Sequence, residues 1–232
     1  MKGKLSRVLP LGLASICLGA AFLTVGCGSS HARYRYVQAS TNVPTNVDLF
    51  LDGKSVQSAI GFGQTASYRS SSSGSHKFEL FATGTTTNPY LSASVTLGSS
   101  DTTVISEDPA ISIKLAPYTD DNTAPTTGNT KLRIIHASPT AQAVDVYVVT
   151  TGSGIAGVNP RIPSLAYTTA SSYLSLAAAS YDVIMTVPGT QNIISNLSAT
   201  YPLTAGQIRT LVVLDAPNGG GPYGLLELND LN

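Results

Sequence analysis

The sequence contains no tryptophan, two cysteines, three histidines and few charged residues. Charged side chains make up 11% of its 232 residues, against about 25% in average globular proteins. Basic and acidic residues balance at 13 each, so the chain lacks the basic field that attracts nucleic acids. Scattered histidines and scarce cysteine indicate neither a transition-metal site nor a disulfide framework. We therefore predict no metal, no cofactor and no nucleic-acid partner.

Residues 1–26 show the three zones of a secretory signal, namely a basic start, an apolar run and a small-residue exit. The exit reads Leu-Thr-Val-Gly-Cys, which resembles the bacterial lipoprotein box. This resemblance implies that Cys27 is acylated, and Gly28 after it implies the outer membrane of a host that has one. An uncleaved anchor helix is the alternative. Either way, we expect the chain to be exported.

A segment at 132–148, LRIIHASPTAQAVDVYV, has a weaker copy at 34–51, YRYVQASTNVPTNVDLFL. The alignment of the two regions pairs Arg35 with Arg133, Ala39 with Ala137, Ser40 with Ser138, Asp48 with Asp145 and Tyr68 with Tyr173. The chain is therefore interpreted as a tandem of two related domains. Chemistry that is essential to the unit should appear in both copies.

Short segments rich in β-branched and aromatic residues, separated by Gly, Ser, Asn or Pro, predict about seven strands in each copy. We predict an all-β fold of two tandem immunoglobulin-like antiparallel β-sandwiches after the signal segment. The predicted divisions are a lipoprotein signal peptide at 1–26, a tether at 27–33, a first sandwich at 34–116, a linker at 117–130 and a second sandwich at 131–232.

Two segments resemble ligand sites but are better explained as connections. The cluster at 120–122, Asp-Asp-Asn, offers oxygen ligands suited to calcium. Its spacing matches no known calcium loop, so we predict a solvated linker. The segment 152–157, GSGIAG, fits the dinucleotide fingerprint, but Pro160 and Pro163 follow it where that motif needs a helix. We predict a loop there.

The segment LRIIHASPTAQAVDVYV closely resembles a bacterial domain of unknown function that occurs singly or in tandem in exported and cell-surface proteins. The residues that carry the resemblance are Arg133, His136, Ser138, Pro139, Asp145 and Tyr147, with Ser40 and Asp48 as matches in the first copy. That copy departs from the pattern at Gln38 and Thr41. The resemblance implies β-sandwich modules in the cell envelope, without an activity or ligand, and we expect these motif residues to be structural.

A hydrolase is the competing hypothesis, because His136 lies beside Ser138 and nine residues before Asp145. A catalytic triad needs a nucleophile, a base and an acid that orients the base. The first copy has Gln38 in place of the histidine, and glutamine cannot act as a base. Strand alternation also turns Asp145 away from its apolar neighbours, so we expect it to bond a loop backbone.

The eleven tyrosines allow a third hypothesis, a glycan-binding module that uses surface tyrosines. The candidates are Tyr68, Tyr90, Tyr118, Tyr147, Tyr167, Tyr173 and Tyr223. Most tyrosines are expected to pack at sheet edges with the hydroxyl in water. Loops such as 156–163 and 218–222 are where a sandwich would carry a binding site.

The sequence as a whole favours a lipid-anchored envelope protein, which the signal type assigns to the outer membrane, with a non-catalytic binding, adhesion or structural role. Its expected partners are the membrane, through the lipid on Cys27, and an envelope protein or glycan.

Overall fold

The computed structural model describes residues 31–230. The expected signal peptide and Cys27 lie outside the described residues. Between 31 and 230 the chain forms 17 strands joined by turns and loops, so the predicted all-β fold is confirmed. No helix in this part of the chain is long and apolar enough to cross a membrane.

The first half of the described chain contains eight strands. They are β1 (His31–Gln38), β2 (Val47–Leu51), β3 (Lys54–Ile60), β4 (Arg69–Ser72), β5 (Gly74–Ala82), β6 (Leu91–Leu97), β7 (Thr102–Glu107) and β8 (Lys114–Thr119). They form two four-stranded sheets, with the orders β4-β1-β7-β8 and β3-β2-β5-β6.

The second half contains nine strands. They are β9 (Asn129–His136), β10 (Val144–Thr150), β11 (Ile162–Leu165), β12 (Thr169–Ala170), β13 (Leu174–Ala177), β14 (Ala179–Thr186), β15 (Ile193–Leu203), β16 (Ile208–Leu214) and β17 (Gly224–Asn229). One sheet has the order β12-β9-β16-β17, with β13 also paired to β9, and the other has the order β11-β10-β14-β15. The two halves thus share one strand order.

Each half buries an apolar core between its two sheets. In the first half, Tyr34 of β1 packs its ring edge-on against Phe78 of β5, with 5.4 Å between the ring centroids. In the second half, Leu132 and Ile134 of β9 face Val146 of β10. Inward-pointing side chains at every second position fill the space between the sheets, as the alternation in the sequence predicted.

The central strands of one sheet in each half are buried on both faces. β7 is buried at all of its positions, and β9 and β16 are nearly so. β1 pairs with β7 in parallel, as does β9 with β16. Parallel strands covered on both faces read as continuous apolar runs rather than as alternating ones. Each sandwich is therefore antiparallel except for one parallel pair, which the sequence did not indicate.

Three boundaries differ from those predicted. β1 begins at His31, inside the expected tether at 27–33. β8 occupies Lys114–Thr119 and so extends beyond residue 116, the predicted end of the first sandwich, while Ile111 is 95% exposed in a loop. The strand places Ala116 and Tyr118 in an apolar cluster between the two halves. The connection between the last strand of one half and the first of the other is therefore 120–128 rather than 117–130.

Candidate functional site

Arg133, whose side chain is almost fully buried in β9, binds the end of the first half. Its Nη2 donates to Asp120 Oδ1 at 2.5 Å, and its Nη1 donates to the Thr119 carbonyl oxygen at 2.8 Å. Its Nε donates to Thr210 Oγ1 at 3.2 Å. The guanidinium carbon lies 4.7 Å from the centroid of the Tyr173 ring. Such charge-assisted bonds are stronger than neutral ones, so Arg133 fastens the second half to the first.

Arg35 of β1 makes the reciprocal set of contacts with the end of the second half. Its Nη2 donates to Asp230 Oδ1, and its Nη1 donates to the Asn229 carbonyl oxygen at 3.0 Å. Its Nε donates to Thr103 Oγ1 at 2.9 Å. Its guanidinium carbon lies 4.8 Å from the centroid of the Tyr68 ring. Both arginines therefore use equivalent partners, exchanged between the halves.

The two threonines close these contacts into a ring. Thr103 Oγ1 donates to the Asp120 carboxylate, at 2.8 Å from Oδ2, and Thr210 Oγ1 donates to Asp230 Oδ2 at 2.9 Å. The resulting cycle is called the central ring, and its members are Arg35, Thr103, Asp120, Arg133, Thr210 and Asp230. It holds two positive and two negative charges, so it is neutral as a whole. A buried charge is tolerated when it is paired and hydrogen-bonded in this way.

Two tyrosines donate additional hydrogen bonds to the carboxylates of the central ring. Tyr68 donates its hydroxyl to Asp120 Oδ2 at 2.6 Å, and Tyr173 donates to Asp230 Oδ2 at 3.1 Å. Burial, as the largest cause, raises the pKa of both phenols above the usual range. Both tyrosines are therefore neutral donors at physiological pH. The expectation that 120–122 is a solvated linker is wrong for Asp120, which is 5% exposed.

Apolar side chains from both halves surround the central ring. The buried members are Val37, Ala39, Ile105 and Tyr118 from the first half and Ile135, Ala137, Val212, Leu214 and Leu228 from the second. They lie on the strand faces opposite the two sandwich cores. This shared cluster explains why the central strands are buried on both sides, and it joins the sandwiches through apolar packing as well as through charge.

Further hydrogen bonds cross between the halves at the edge of this cluster. Tyr167 donates its hydroxyl to Asp108 Oδ1 at 2.5 Å. The Asn42 amide donates to the Pro217 carbonyl oxygen at 2.8 Å. Contacts of both side chain and backbone therefore fix the orientation of one sandwich on the other.

Glu107 is a buried acid in this interface. It is 1% exposed, and its Oε1 accepts a hydrogen bond from the Tyr118 hydroxyl at 2.7 Å. The pKa of Glu107 is raised to about 7, mainly by burial and in part by the nearby Asp108 carboxylate, while the hydrogen bond from Tyr118 acts in the opposite direction. The interface thus contains one group that changes charge near neutral pH.

His136 lies fully buried at the end of β9. Its Nε2 pairs with the Gln142 carbonyl oxygen at 3.0 Å, so Nε2 carries the hydrogen. Nδ1 then accepts from the Ser138 amide at 3.4 Å. Burial lowers the pKa of His136 below its usual value. The equivalent Gln38 likewise accepts from the Ser40 amide through its Oε1, at 3.1 Å, so both side chains brace the same turn.

The other motif residues are also engaged in the fold. Ser138 Oγ donates to the Asp215 carboxylate, and Ser40 Oγ donates to the Glu107 carbonyl oxygen at 3.2 Å. Pro139 is half-buried in the same turn, and Tyr147 is buried in a small cluster on the outer face of β10.

Asp145 binds backbone amides, as strand alternation predicted. Its carboxylate accepts from the Ser164 amide at 2.7 Å and from the Gly189 amide at 2.8 Å. Ser164 has φ of 47° and Gly189 of 72°, and a left-handed backbone is unfavourable for serine. The carboxylate therefore holds a strained turn. Because its oxygens are occupied in this way and Ser138 donates to Asp215, the relay of His136, Ser138 and Asp145 is not assembled.

In the first half, Asp48 makes the same two contacts, with the Ala59 amide at 2.8 Å and the Gly84 amide at 2.9 Å. Ala59 also has a positive φ, of 56°. The aspartate of the Val-Asp-Val pattern is therefore required by a turn that both halves contain.

The tyrosines are not arranged as an exposed platform. All eleven lie within residues 31–230, and each is buried or half-buried. Tyr68, Tyr118, Tyr167 and Tyr173 donate their hydroxyls to buried or half-buried carboxylates. The loop 151–161 contains the GSGIAG segment and leads to β11 without a helix, as expected. Within the described part of the chain, no three His, Cys, Asp or Glu residues are placed to hold a metal ion.

The sequence did not indicate the carboxylates of the central ring. Asp120 and Asp230 both directly follow the last strand of a half, at a distance from each repeat motif that differs between the copies. The alignment did pair Arg35 with Arg133 and Tyr68 with Tyr173. The one signal for the ring in the sequence was an arginine that recurs in both copies of a chain with few charges, because an arginine that becomes buried requires a charged partner.

A family model described as Domain of unknown function (DUF4397) matches residues 32–147, which is half of the 232-residue chain. The matched region contains β2 to β9, most of β1 and part of β10. No curated protein matches the chain.

Seventeen chains of known structure also match. One, described as a streptococcal virulence factor that binds α-glucan, is 11% identical with a TM-score of 0.25, and the match covers 78% of this chain and 92% of that chain. Another is a family 26 carbohydrate-binding module of Eubacterium rectale Amy13K in complex with maltoheptaose. It is 11% identical with a TM-score of 0.26, over 87% of this chain and 98% of that chain. Scores this low carry no inference about a ligand.

Proposed function

Since the chain belongs to the DUF4397 family of domains of unknown function, we propose from its own residues that it is a lipid-anchored, non-catalytic binding module of the cell envelope. The two sandwiches act in this proposal as one rigid unit. The anchor is the acylated Cys27 in the outer membrane of a host that has one. The binding partner is an envelope protein or a glycan.

The central ring is the observation that carries this proposal. Its two arginines and two aspartates are buried and fully paired across the halves. The motif residues His136, Ser138 and Asp145 are likewise held in structural hydrogen bonds. The strongest donors and acceptors thus maintain the scaffold, and a rigid scaffold presents its loops and edges for recognition at low entropic cost.

The position of β1 determines where the proposed anchor would hold the first sandwich. β1 begins at His31, four residues after Cys27. An acylated Cys27 would therefore hold the first sandwich close to the bilayer surface. A lipoprotein anchor with several acyl chains binds firmly, since each buried methylene contributes about 0.8 kcal/mol.

Fatty-acid labelling of the full chain in a bacterium with an outer membrane tests the anchor. We expect the wild-type chain to incorporate labelled palmitate and to fractionate with the outer membrane. The variant Cys27→Ser should incorporate none and stay in the periplasmic or inner-membrane fraction. Equal labelling of the two chains would contradict acylation at Cys27.

Crosslinking in intact cells tests the binding role. We expect the wild-type chain to form a defined crosslinked species with an envelope component, and Cys27→Ser to lose it because the chain is displaced. Absence of any crosslinked species from wild-type cells, at several crosslinker lengths, would contradict a binding role.

A further inference from the structure

A cleft of about 550 Å³ lies on the open side of the first sandwich, lined by Gln57 and by residues 65–69. Gln57 is in β3, the edge strand of one sheet, and Arg69 begins β4, the edge strand of the other. No strand closes the sandwich at this point. The volume is within the range of about 300–1,000 Å³ that is usual for ligand sites.

Arg69 and Gln57 give the cleft unused polar groups. The Arg69 side chain is exposed and has no hydrogen-bond or ion-pair partner among residues 31–230. The Gln57 Oε1 is buried in the cleft wall without a donor. An unpaired buried acceptor costs about 1–3 kcal/mol. At one place the fold therefore leaves an exposed cation without an ion-pair partner and a buried acceptor without a donor.

Tyr68 is a fixed wall of the same cleft. Its hydroxyl is held by Asp120 at 2.6 Å, and its ring is covered on one side by Arg35. The Ser67 side chain, which is exposed, adds a hydroxyl to the lining. The residues that line the cleft include no carboxylate. The site thus combines one cation with neutral polar groups beside a preorganised aromatic ring.

The second half closes the equivalent edge with apolar residues. Arg69 pairs with Tyr34 across β4 and β1, and Leu174 pairs with Leu132 across β13 and β9. Because Tyr34 and Leu132 are equivalent, Arg69 and Leu174 are equivalent too. Leu174 packs against the core of its half together with Ile162. The sandwich therefore does not need an arginine at this position, and Arg69 is available for a ligand.

We propose that this cleft binds an acidic carbohydrate that carries a uronic-acid carboxylate, an inference that rests on the proposed binding role. The Arg69 guanidinium takes the carboxylate, for which its planar donors are suited. Ser67 pairs with a sugar hydroxyl, while Tyr68 and the Gln57 side chain bound the sugar ring. A single cation among neutral polar groups fits a polyhydroxylated monoanion better than inorganic phosphate, which is bound by several positive donors.

Calorimetric titration of the full chain in detergent with tri-galacturonate tests this proposal. Its methyl ester and inorganic phosphate serve as comparison ligands. Arg69→Leu introduces the residue type of the equivalent Leu174, and Arg69→Lys keeps the positive charge but lacks the two parallel donors of the guanidinium. Arg161→Leu is the matched control, since Arg161 is an exposed arginine of the second half.

We expect tri-galacturonate to bind the wild-type chain and Arg161→Leu equally. Arg69→Leu should bind about tenfold more weakly or worse, as expected for the loss of a charge-assisted bidentate contact. Arg69→Lys should be intermediate, and the methyl ester should bind the wild-type chain as weakly as the acid binds Arg69→Leu. Unchanged melting temperatures verify that the variants are folded.

Wild-type affinity in Arg69→Leu would overturn the assignment of the cleft. Equal affinity for the acid and the ester would overturn the role of the carboxylate. Displacement of the sugar by equimolar phosphate would overturn the assignment of a carbohydrate as the ligand. If no oligosaccharide binds while crosslinking in cells persists, this inference fails and the proposed function stands. If tri-galacturonate binds but no envelope crosslink forms, the envelope role fails instead.

Discussion

Replacing Asp120 with alanine removes a carboxylate on which the two halves converge. Asp120 accepts hydrogen bonds from Arg133, Tyr68 and Thr103. Its loss leaves the Arg133 guanidinium buried beside Tyr173 without its counterion. It also removes one of the two aspartates of the central ring, so the substitution should weaken the docking of the two sandwiches.

The expected cost follows from the burial of the pair. The side chains of Arg133 and Asp120 are 2% and 0% exposed, so solvent screens them little. Breaking a buried ion pair by removing one partner costs about 3–5 kcal/mol. Two hydroxyls lose an acceptor as well, so we expect Asp120→Ala to fall near the upper end of that range. This is a large share of a typical unfolding free energy of about 5–15 kcal/mol.

Urea unfolding followed by circular dichroism and tyrosine fluorescence measures the effect. We expect one transition for the wild-type chain and two for Asp120→Ala, because the sandwiches then unfold separately. The double variant Asp120→Ala/Arg133→Met should lose less than the sum of the single variants, since it leaves no buried charge unpaired. A loss below about 1 kcal/mol for Asp120→Ala, with a single transition, would refute the structural role assigned to the ring.

Three further changes test other parts of the structure. Because the folded state raises the pKa of Glu107 from 4.5 to about 7, its protonated form contributes stability that is fully present below pH 4.5 and is lost as the pH rises through about 7. The free energy of unfolding of the wild-type chain should therefore fall by about 3 kcal/mol across this range relative to that of Glu107→Gln, and parallel stability curves for the two chains would contradict this. Asp145→Ala should cost about 2–4 kcal/mol because two backbone amides lose their acceptor, and Asp145→Asn should cost less; equal losses in chemical denaturation would argue against the amide contacts. His136→Gln should be milder than His136→Ala in thermal melting, because Gln38 braces the equivalent turn; identical melting temperatures would exclude that bracing role.

The general fold could be predicted from the sequence because strand signals are local. Alternating apolar residues such as those before and after Asp145 show which face of a strand points inward. The repeat also showed that glutamine can replace His136 in the turn, since Gln38 occupies the equivalent place. These inferences needed only neighbouring residues and a comparison of the two copies.

The interface could not be predicted in the same way, because it depends on contacts distant in sequence. Arg35 and Asp230 are separated by 195 positions along the chain, and no local pattern links them. Asp120 lies in a polar segment with two prolines nearby, which is typical of a solvated linker. The parallel pairing of β1 with β7 was hidden for a similar reason, since a strand buried on both faces has no alternation to reveal its partner.

Comparison of the halves separates the demands of the fold from residues that the fold leaves free. Equivalent residues such as Arg35 and Arg133, or Asp48 and Asp145, form the same contacts in each half. They therefore report what a pair of docked sandwiches requires.

Positions that differ between the halves follow another logic. Glu107 is equivalent to Leu214 in the pairing of the central strands, so the interface tolerates an apolar residue where the first half places an acid. Arg69 is equivalent to Leu174, which shows that the edge of a sandwich is completed by apolar packing. The exposed Arg69 therefore occupies a position that the other sandwich fills with an apolar residue, so the architecture shared by the two halves does not require its charge.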